Sequence, residues 1–170
     1  MTYSMPEETE QGFLEIVRRH EHLITRLARV YAADPEDRKD LFQEILYQLW
    51  RSHGSFKGES SWTTWIYRVA LNTAITSFRR VRKLPEHAQL EEDIPVESRS
   101  HESLEQDERT KLLYRAIRSL NKVDRAVITL YLEDLSYREI ANILGISEDN
   151  AGVRLNRIKG KLRTFFGVLE

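Results

Sequence analysis

The side chains in this 170-residue chain with the most evident chemistry are cationic, aromatic and small polar ones, grouped in three places. Near the C-terminus, Asn150, Arg154, Asn156, Arg157, Lys159, Lys161 and Arg163 share the outer side of a helical pattern whose inner stripe is Ala151, Leu155, Ile158 and Leu162. Cations on such a face neutralise phosphates, and polar groups near the helix start reach base edges in a major groove. Further upstream, Arg79, Arg80, Arg82 and Lys83 crowd four cations into five positions. A helix dipole accounts for part of that cluster, and phosphate binding accounts for the rest. Arg68, Asn72 and Arg79, at spacings of four and seven, extend the track along one helix face.

The third group precedes that helix. Phe56-Lys57-Gly58-Glu59-Ser60-Ser61-Trp62-Thr63-Thr64-Trp65-Ile66-Tyr67 interleaves aromatic rings with small hydroxyls. Stacking a base on such a ring contributes about 1–3 kcal/mol whatever the base, so the loop suits single-stranded DNA and a pocket for one extruded base. Trp65, Ile66 and Val69 fit the buried face of the helix, whereas Phe56, Trp62 and Tyr67 are harder to assign to a core. The bland alternatives are a solvated basic face on an ordinary helical hairpin for the first group, complementation of the helix dipole for the second and core packing for the third.

Other chemistries find little support. There is no cysteine, which excludes disulfides, thiol catalysis and Cys-ligated metal. His20 and His22 are two apart and point to different sides of a helix, so a metal pair is not expected. The chain carries no Gly-rich phosphate loop, metal triad or nucleophile motif, which argues against an enzyme and against a cofactor. Asp40, Gln43 and Glu44 share a polar helix face that composition alone would leave as solvated.

The elements that must position these groups are helical. Only seven Gly and four Pro interrupt the chain, and no segment alternates at period two for long, so an all-α fold is expected. Net charge is -1 overall but uneven: +2 over residues 1–85, -7 over 86–110 and +4 over 111–170. The acidic stretch holds Pro95 and lacks helical periodicity, which reads as a flexible linker. The division is therefore one helical domain over 1–85, a linker over 86–106 and a second helical domain over 107–170. No apolar run approaches the roughly 20 residues that span a bilayer, and Glu7, Glu8 and Glu10 stand where a signal peptide would be basic. A cytoplasmic protein without membrane insertion is expected.

In the first domain, Phe13, Ile16, Val17, Leu23, Ile24, Leu27 and Tyr31 recur at helical spacing. Asp34 can cap a second helix with Pro35 at its first position. Leu41, Ile45 and Leu49, with Phe42, Leu46 and Trp50, form that helix's buried stripe. A third helix from about Ser61 to Lys83 would be roughly 34 Å long. Four shorter patterns follow in the second domain. Ser136 and Glu139 make a capping box, Gly145 is placed for a left-handed turn, and Ser147 caps the last helix. Two helices joined by a short Gly-containing turn are the sequence form of a helix-turn-helix, whose second helix fits a major groove.

With those motifs placed, the chain resembles bacterial RNA polymerase sigma factors of the extracytoplasmic-function class of the sigma-70 family. The resemblance rests on Asp40-Leu41-Phe42-Gln43-Glu44-Ile45, Ser55-Phe56-Lys57-Gly58, Trp65-Ile66-Tyr67-Arg68-Val69-Ala70-Leu71-Asn72, Leu135-Ser136-Tyr137-Arg138-Glu139-Ile140-Ala141 and Leu144-Gly145-Ile146-Ser147. It implies that residues 1–85 are sigma domain 2 and 107–170 sigma domain 4. Asp40, Gln43, Glu44 and Gln48 would then dock on core RNA polymerase. Phe56, Lys57, Ser60, Ser61, Trp62, Thr63, Arg68, Asn72, Arg79, Arg80, Arg82 and Lys83 would hold the opened −10 strand. Arg138, Asn150, Gly152, Val153, Arg154, Asn156, Arg157, Lys159 and Lys161 would meet the −35 duplex. Duplex opening costs on the order of 1.4 kcal/mol per base-pair step, and binding must supply it. The family also implies an anti-sigma factor as partner.

The resemblance departs in the recognition helix, where many relatives carry Thr-Val-Lys-Ser-Arg and this chain has Asn150-Ala151-Gly152-Val153-Arg154. Gly152 weakens the helix by about 1 kcal/mol relative to Ala, which closer backbone approach to DNA would offset. Two other readings remain at this point: a helix-turn-helix regulator that is not a polymerase subunit, and a helical adaptor whose basic residues only solvate.

Overall fold

The computed structural model describes residues 10–82 and 108–167, and all of the regular structure among them is helical. The linker expected over 86–106, and Lys83, lie outside the described residues. The first domain holds α1 (Glu10–Arg19), α2 (Glu21–Tyr31), α3 (Pro35–Ser52), a single 3-10 turn (His53–Ser55) and α4 (Trp62–Arg82). The second holds α5 (Glu108–Arg118), α6 (Lys122–Tyr131), α7 (Tyr137–Leu144) and α8 (Glu148–Gly167). Helices α2, α3 and α4 pack on one another, and α8 packs across α6 and α7.

Local chemistry sets the helix ends. Asp34 accepts from the Glu36 and Asp37 amides, and Pro35 opens α3 where no intrahelical donor is needed. Ser136 and Glu139 cap α7 reciprocally, and Gly145 ends it at φ 68°, where a side chain would be strained. Ser147 accepts from the Asn150 amide at 3.1 Å and starts α8.

Three expectations are corrected. The first helical pattern is broken at His20, which has left the helical conformation (φ -114°, ψ 9°). Its ring bonds the Ile16 carbonyl at 2.8 Å and the Thr63 hydroxyl at 3.1 Å, so a contact with α4 competes with helix continuity. Trp50 is not buried with the α3 stripe. It is 45% exposed, stacked on His53 and edge-on to Phe13, because it lies off the line of Leu41, Ile45 and Leu49. Tyr67, by contrast, belongs to the core, and burial pushes its hydroxyl pKa up to about 12, with Glu133 adding to the shift.

The buried side chains form one cluster running from Leu23 and Ile45 to Leu155 and Ile158. It crosses between the domains where α2 meets α5 and α6, and α4 meets α7. The contacts around that apolar seam are polar. Glu133, with its side chain 5% exposed, pairs with Arg26 at 2.7 Å and His22 at 3.0 Å. Arg26 also donates to the Leu132 carbonyl, Tyr31 to the Lys122 carbonyl, and Arg118 to the Arg29 carbonyl. His20 and His22 thus bond different partners on different sides, as their spacing requires.

Candidate nucleic-acid interface

On α8 the side chains divide by what holds them. Arg154 and Lys161 turn inward to Asp124 of α6, at 3.0 and 3.3 Å, and the Asp124 side chain is only 4% exposed. The same carboxylate accepts from the Asn121 amide group at 2.8 Å, while Asn121 caps α6 by accepting from the Asp124 backbone. Arg154 Nε donates to Asn150 Oδ1 on the helix surface as well, so two of its three nitrogens have partners within the chain. Lys159 lies over the Tyr131 ring, 4.6 Å from its centroid, and donates to its hydroxyl at 3.3 Å. The outer line of the helix is left to Asn150, Val153, Asn156 and Arg157, all exposed.

Gly152 sits off that line, half-buried beside Tyr137. A Cβ there would meet the Tyr137 ring at 3.5 Å, an ordinary van der Waals distance, so packing inside the protein does not require glycine. Arg138, at the start of α7, is exposed.

Sequence reasoning missed Asp124. Its position in the first turn of α6, three residues after the Asn121 cap, reads as an acid complementing the helix dipole. Only the crossing of α8 over α6 turns it into the partner of two cations.

In the first domain the aromatic loop is closed on itself. Phe56 and Trp62 stack with ring centroids 3.9 Å apart, and both meet Trp65 edge-on. Ser61 caps α4 through the Thr64 amide at 3.1 Å, and Thr63 is tied to His20, so these hydroxyls shape the loop and its junction with α1. Lys57 is exposed and Ser60 half-buried. Gly58 takes φ 69°, which a residue with a side chain would adopt only under strain.

Arg68 and Asn72 are exposed on one face of α4. The Arg68 guanidinium also donates to the Asn142 carbonyl of α7 at 2.7 Å, so the second domain abuts this part of the track. Arg79, Arg80 and Arg82 lie in the last turn of α4, but their side chains are outside the described residues.

On α3, Asp40 and Gln43 are exposed, while Glu44 and Gln48 are half-buried and joined by a 2.9 Å hydrogen bond. Asp37, one turn before, has its pKa raised by partial burial and by the neighbouring Asp34 and Asp40 carboxylates. A groove of 240 Å³ runs between α3 and α4, lined by Glu44, Gln48, Asn72, Thr73, Thr76 and Ser77. The polar face of α3 and the polar face of α4 therefore share one edge.

Comparison with known proteins matches both helical parts of the chain. The family model for Sigma-70 region 2 matches residues 16–84, and that for Sigma-70, region 4 matches residues 110–162. The chain is 29% identical over 160 residues to the ECF RNA polymerase sigma factor SigM of Mycobacterium tuberculosis, covering 94% of this chain and 79% of that protein. It is 30% identical over 146 residues to the RNA polymerase sigma-H factor of Pseudomonas aeruginosa, covering 79% and 76% respectively. Among solved structures, the sigma factor RpoE in complex with the anti-sigma factor NepR from Bartonella quintana shares the fold at a TM-score of 0.68 and 20% identity, over 94% of this chain and 96% of that one. Two matched regions in the family's order, on a fold that presents each as its own helical domain, make this chain a member of the sigma-70 family of RNA polymerase sigma factors, in its extracytoplasmic-function class.

Proposed function

We propose a division of labour for promoter recognition in which residues 1–85 dock on core RNA polymerase and take the opened −10 strand, while 107–170 read the −35 duplex. The acidic stretch 86–106 tethers the two. In this reading Asp40, Gln43, Glu44 and Gln48 meet the polymerase. Phe56, Lys57, Ser60, Ser61, Trp62 and Thr63 border the captured base, and Arg68, Asn72, Arg79, Arg80, Arg82 and Lys83 hold the strand's backbone. Arg138 and Arg157 take phosphates of the upstream duplex beside the outer residues of α8.

The groove shared by Glu44, Gln48 and Asn72 is the observation that carries this reading. A polymerase element seated on α3 would lie against the α4 face that takes DNA, so docking and strand capture would reinforce each other. Melting needs no hydrolysis on this account. Stacking at about 1–3 kcal/mol per base is of the size needed to offset the opening of each step. The protein acts without catalysis or cofactor, in the cytoplasm where polymerase and chromosome meet. The RpoE–NepR complex supports an anti-sigma factor as a further partner for this chain. A helix-turn-helix regulator working apart from the polymerase would leave the region 2 match without a role.

Asp40→Ala combined with Glu44→Ala tests the docking face. The double variant should weaken binding to core polymerase at least tenfold in a pull-down or fluorescence titration while retaining the wild-type circular dichroism spectrum. Unchanged affinity would remove the polymerase from this face.

A further inference from the structure

The assignment of base contacts rests on the −35 reading just proposed and turns on which side chains of α8 are free to meet bases. Arg154 has the position and chemistry of a guanine reader, since a bidentate guanidinium matches the O6 and N7 acceptors. Yet its Nη1 is held by the buried Asp124 and its Nε by Asn150. Lys161 is drawn to the same carboxylate, and Lys159 to Tyr131. The internal partners therefore hold three of the cations on or beside this face.

In the first two turns of α8 the exposed side chains are Glu148, Asp149, Asn150 and Val153, and Val153, 57% exposed, is the apolar one among them. It is the most exposed large apolar side chain among the described residues. Asp149, Asn150, Asn156 and Arg157 surround it on the helix surface, so it is an apolar point within a polar face. Neither helix propensity nor internal packing selects a β-branched residue there. The first turns of a recognition helix are the part that enters the major groove. The one apolar group a B-form major groove offers is the thymine C5-methyl.

We propose that Val153 reads the methyl group of a thymine in the upstream duplex, and that Asp124, by holding Arg154 back, is the positioning residue that leaves this contact to it. Burying one methyl group corresponds to about a fourfold gain in affinity, and cytosine, which lacks the methyl, cannot provide it.

Replacing single thymines by deoxyuracil tests this directly, because the exchange removes only the methyl. Holoenzyme assembled from the full chain and core polymerase would first select from a library of duplexes randomised in the upstream element. Each thymine of the recovered sequence would then be changed to deoxyuracil in turn, and binding measured with wild type and with Val153→Ala. The proposal expects one position at which deoxyuracil weakens the wild-type holoenzyme about fourfold and leaves Val153→Ala unaffected. Asp124→Asn, by releasing Arg154, should reduce that discrimination. A recovered element without thymine, or deoxyuracil effects equal in both proteins at every position, overturns the Val153 contact while the promoter-reading role stands. Failure of the wild-type holoenzyme to enrich any sequence overturns both.

Discussion

Asp124 organises the second domain at the level of single residues, because a carboxylate removed from water must be matched by charge and hydrogen bonds. Here Arg154, Lys161 and Asn121 supply them. Lys161 is more than half exposed, which weakens its share, and Arg154 carries most of the pairing. Asp124→Asn keeps the volume and removes the charge. It should lower stability by about 2 kcal/mol in urea denaturation, an intermediate figure between a buried and an exposed pair. A loss below about 0.5 kcal/mol would mean that Arg154 and Lys161 are held by packing instead. Glu133 occupies the comparable position between the domains, where Arg26 and His22 meet it from α2.

The helix boundaries of the second domain depend on a few side chains acting through backbone donors. The Glu139 carboxylate accepts from the Ser136 amide and hydroxyl, both at 2.8 Å, and these bonds hold its pKa below the ordinary value of 4.5. With a lowered folded-state pKa, the stabilisation is complete above about pH 4.5 and is lost as pH falls through the folded value. Glu139→Gln should therefore cost roughly 0.5 kcal/mol at pH 7, a small figure because the group is solvent-exposed. It should also flatten the decline in stability as pH falls below about 4.5. An unaltered acid limb in thermal melts would assign that decline to other carboxylates.

This region was also the most legible in the sequence, since the capping box, Gly145 and Ser147 each act over three or four residues. The Asp34–Pro35 start of α3 was legible for the same reason. The break at His20 was not, because the competing partner, Thr63, is distant in the chain. The aromatic and hydroxyl composition of the loop is legible, but the stack of Phe56 on Trp62, with Trp65 edge-on to both, depends on how the loop folds back on the start of α4. The candidate site thus appeared as residue types at helical spacing, while the pairing of Arg154 with Asp124 and of Arg68 with Asn142 depended on how helices cross.

For the whole molecule, the two domains packed together have a geometry different from the one promoter recognition requires. A compact chain of this length has a radius of gyration of about 15 Å and a breadth of about 40 Å. Elements centred about 25 base pairs apart are about 85 Å distant along B-DNA. Moreover, Arg68 cannot hold both the Asn142 carbonyl and a DNA strand through the same donor. The domains should therefore part on the promoter, which the polar rim of their contact allows at moderate cost. The chain has no cysteine, so dyes on Arg51→Cys and Thr164→Cys report on this separation without background labelling. Energy transfer should be high in the free protein and fall when core polymerase and promoter DNA are both present. Unchanged transfer would contradict the separation.

If this chain directs core polymerase to start sites by holding one duplex and one opened element at once, adding it to core enzyme must create new transcription starts. In vitro transcription from genomic DNA with core polymerase of the same organism, with and without the protein, followed by mapping of RNA 5′ ends, tests it most directly. Discrete new starts that share an upstream and a downstream element should appear only when the protein is added. An identical set of 5′ ends in both reactions would contradict it.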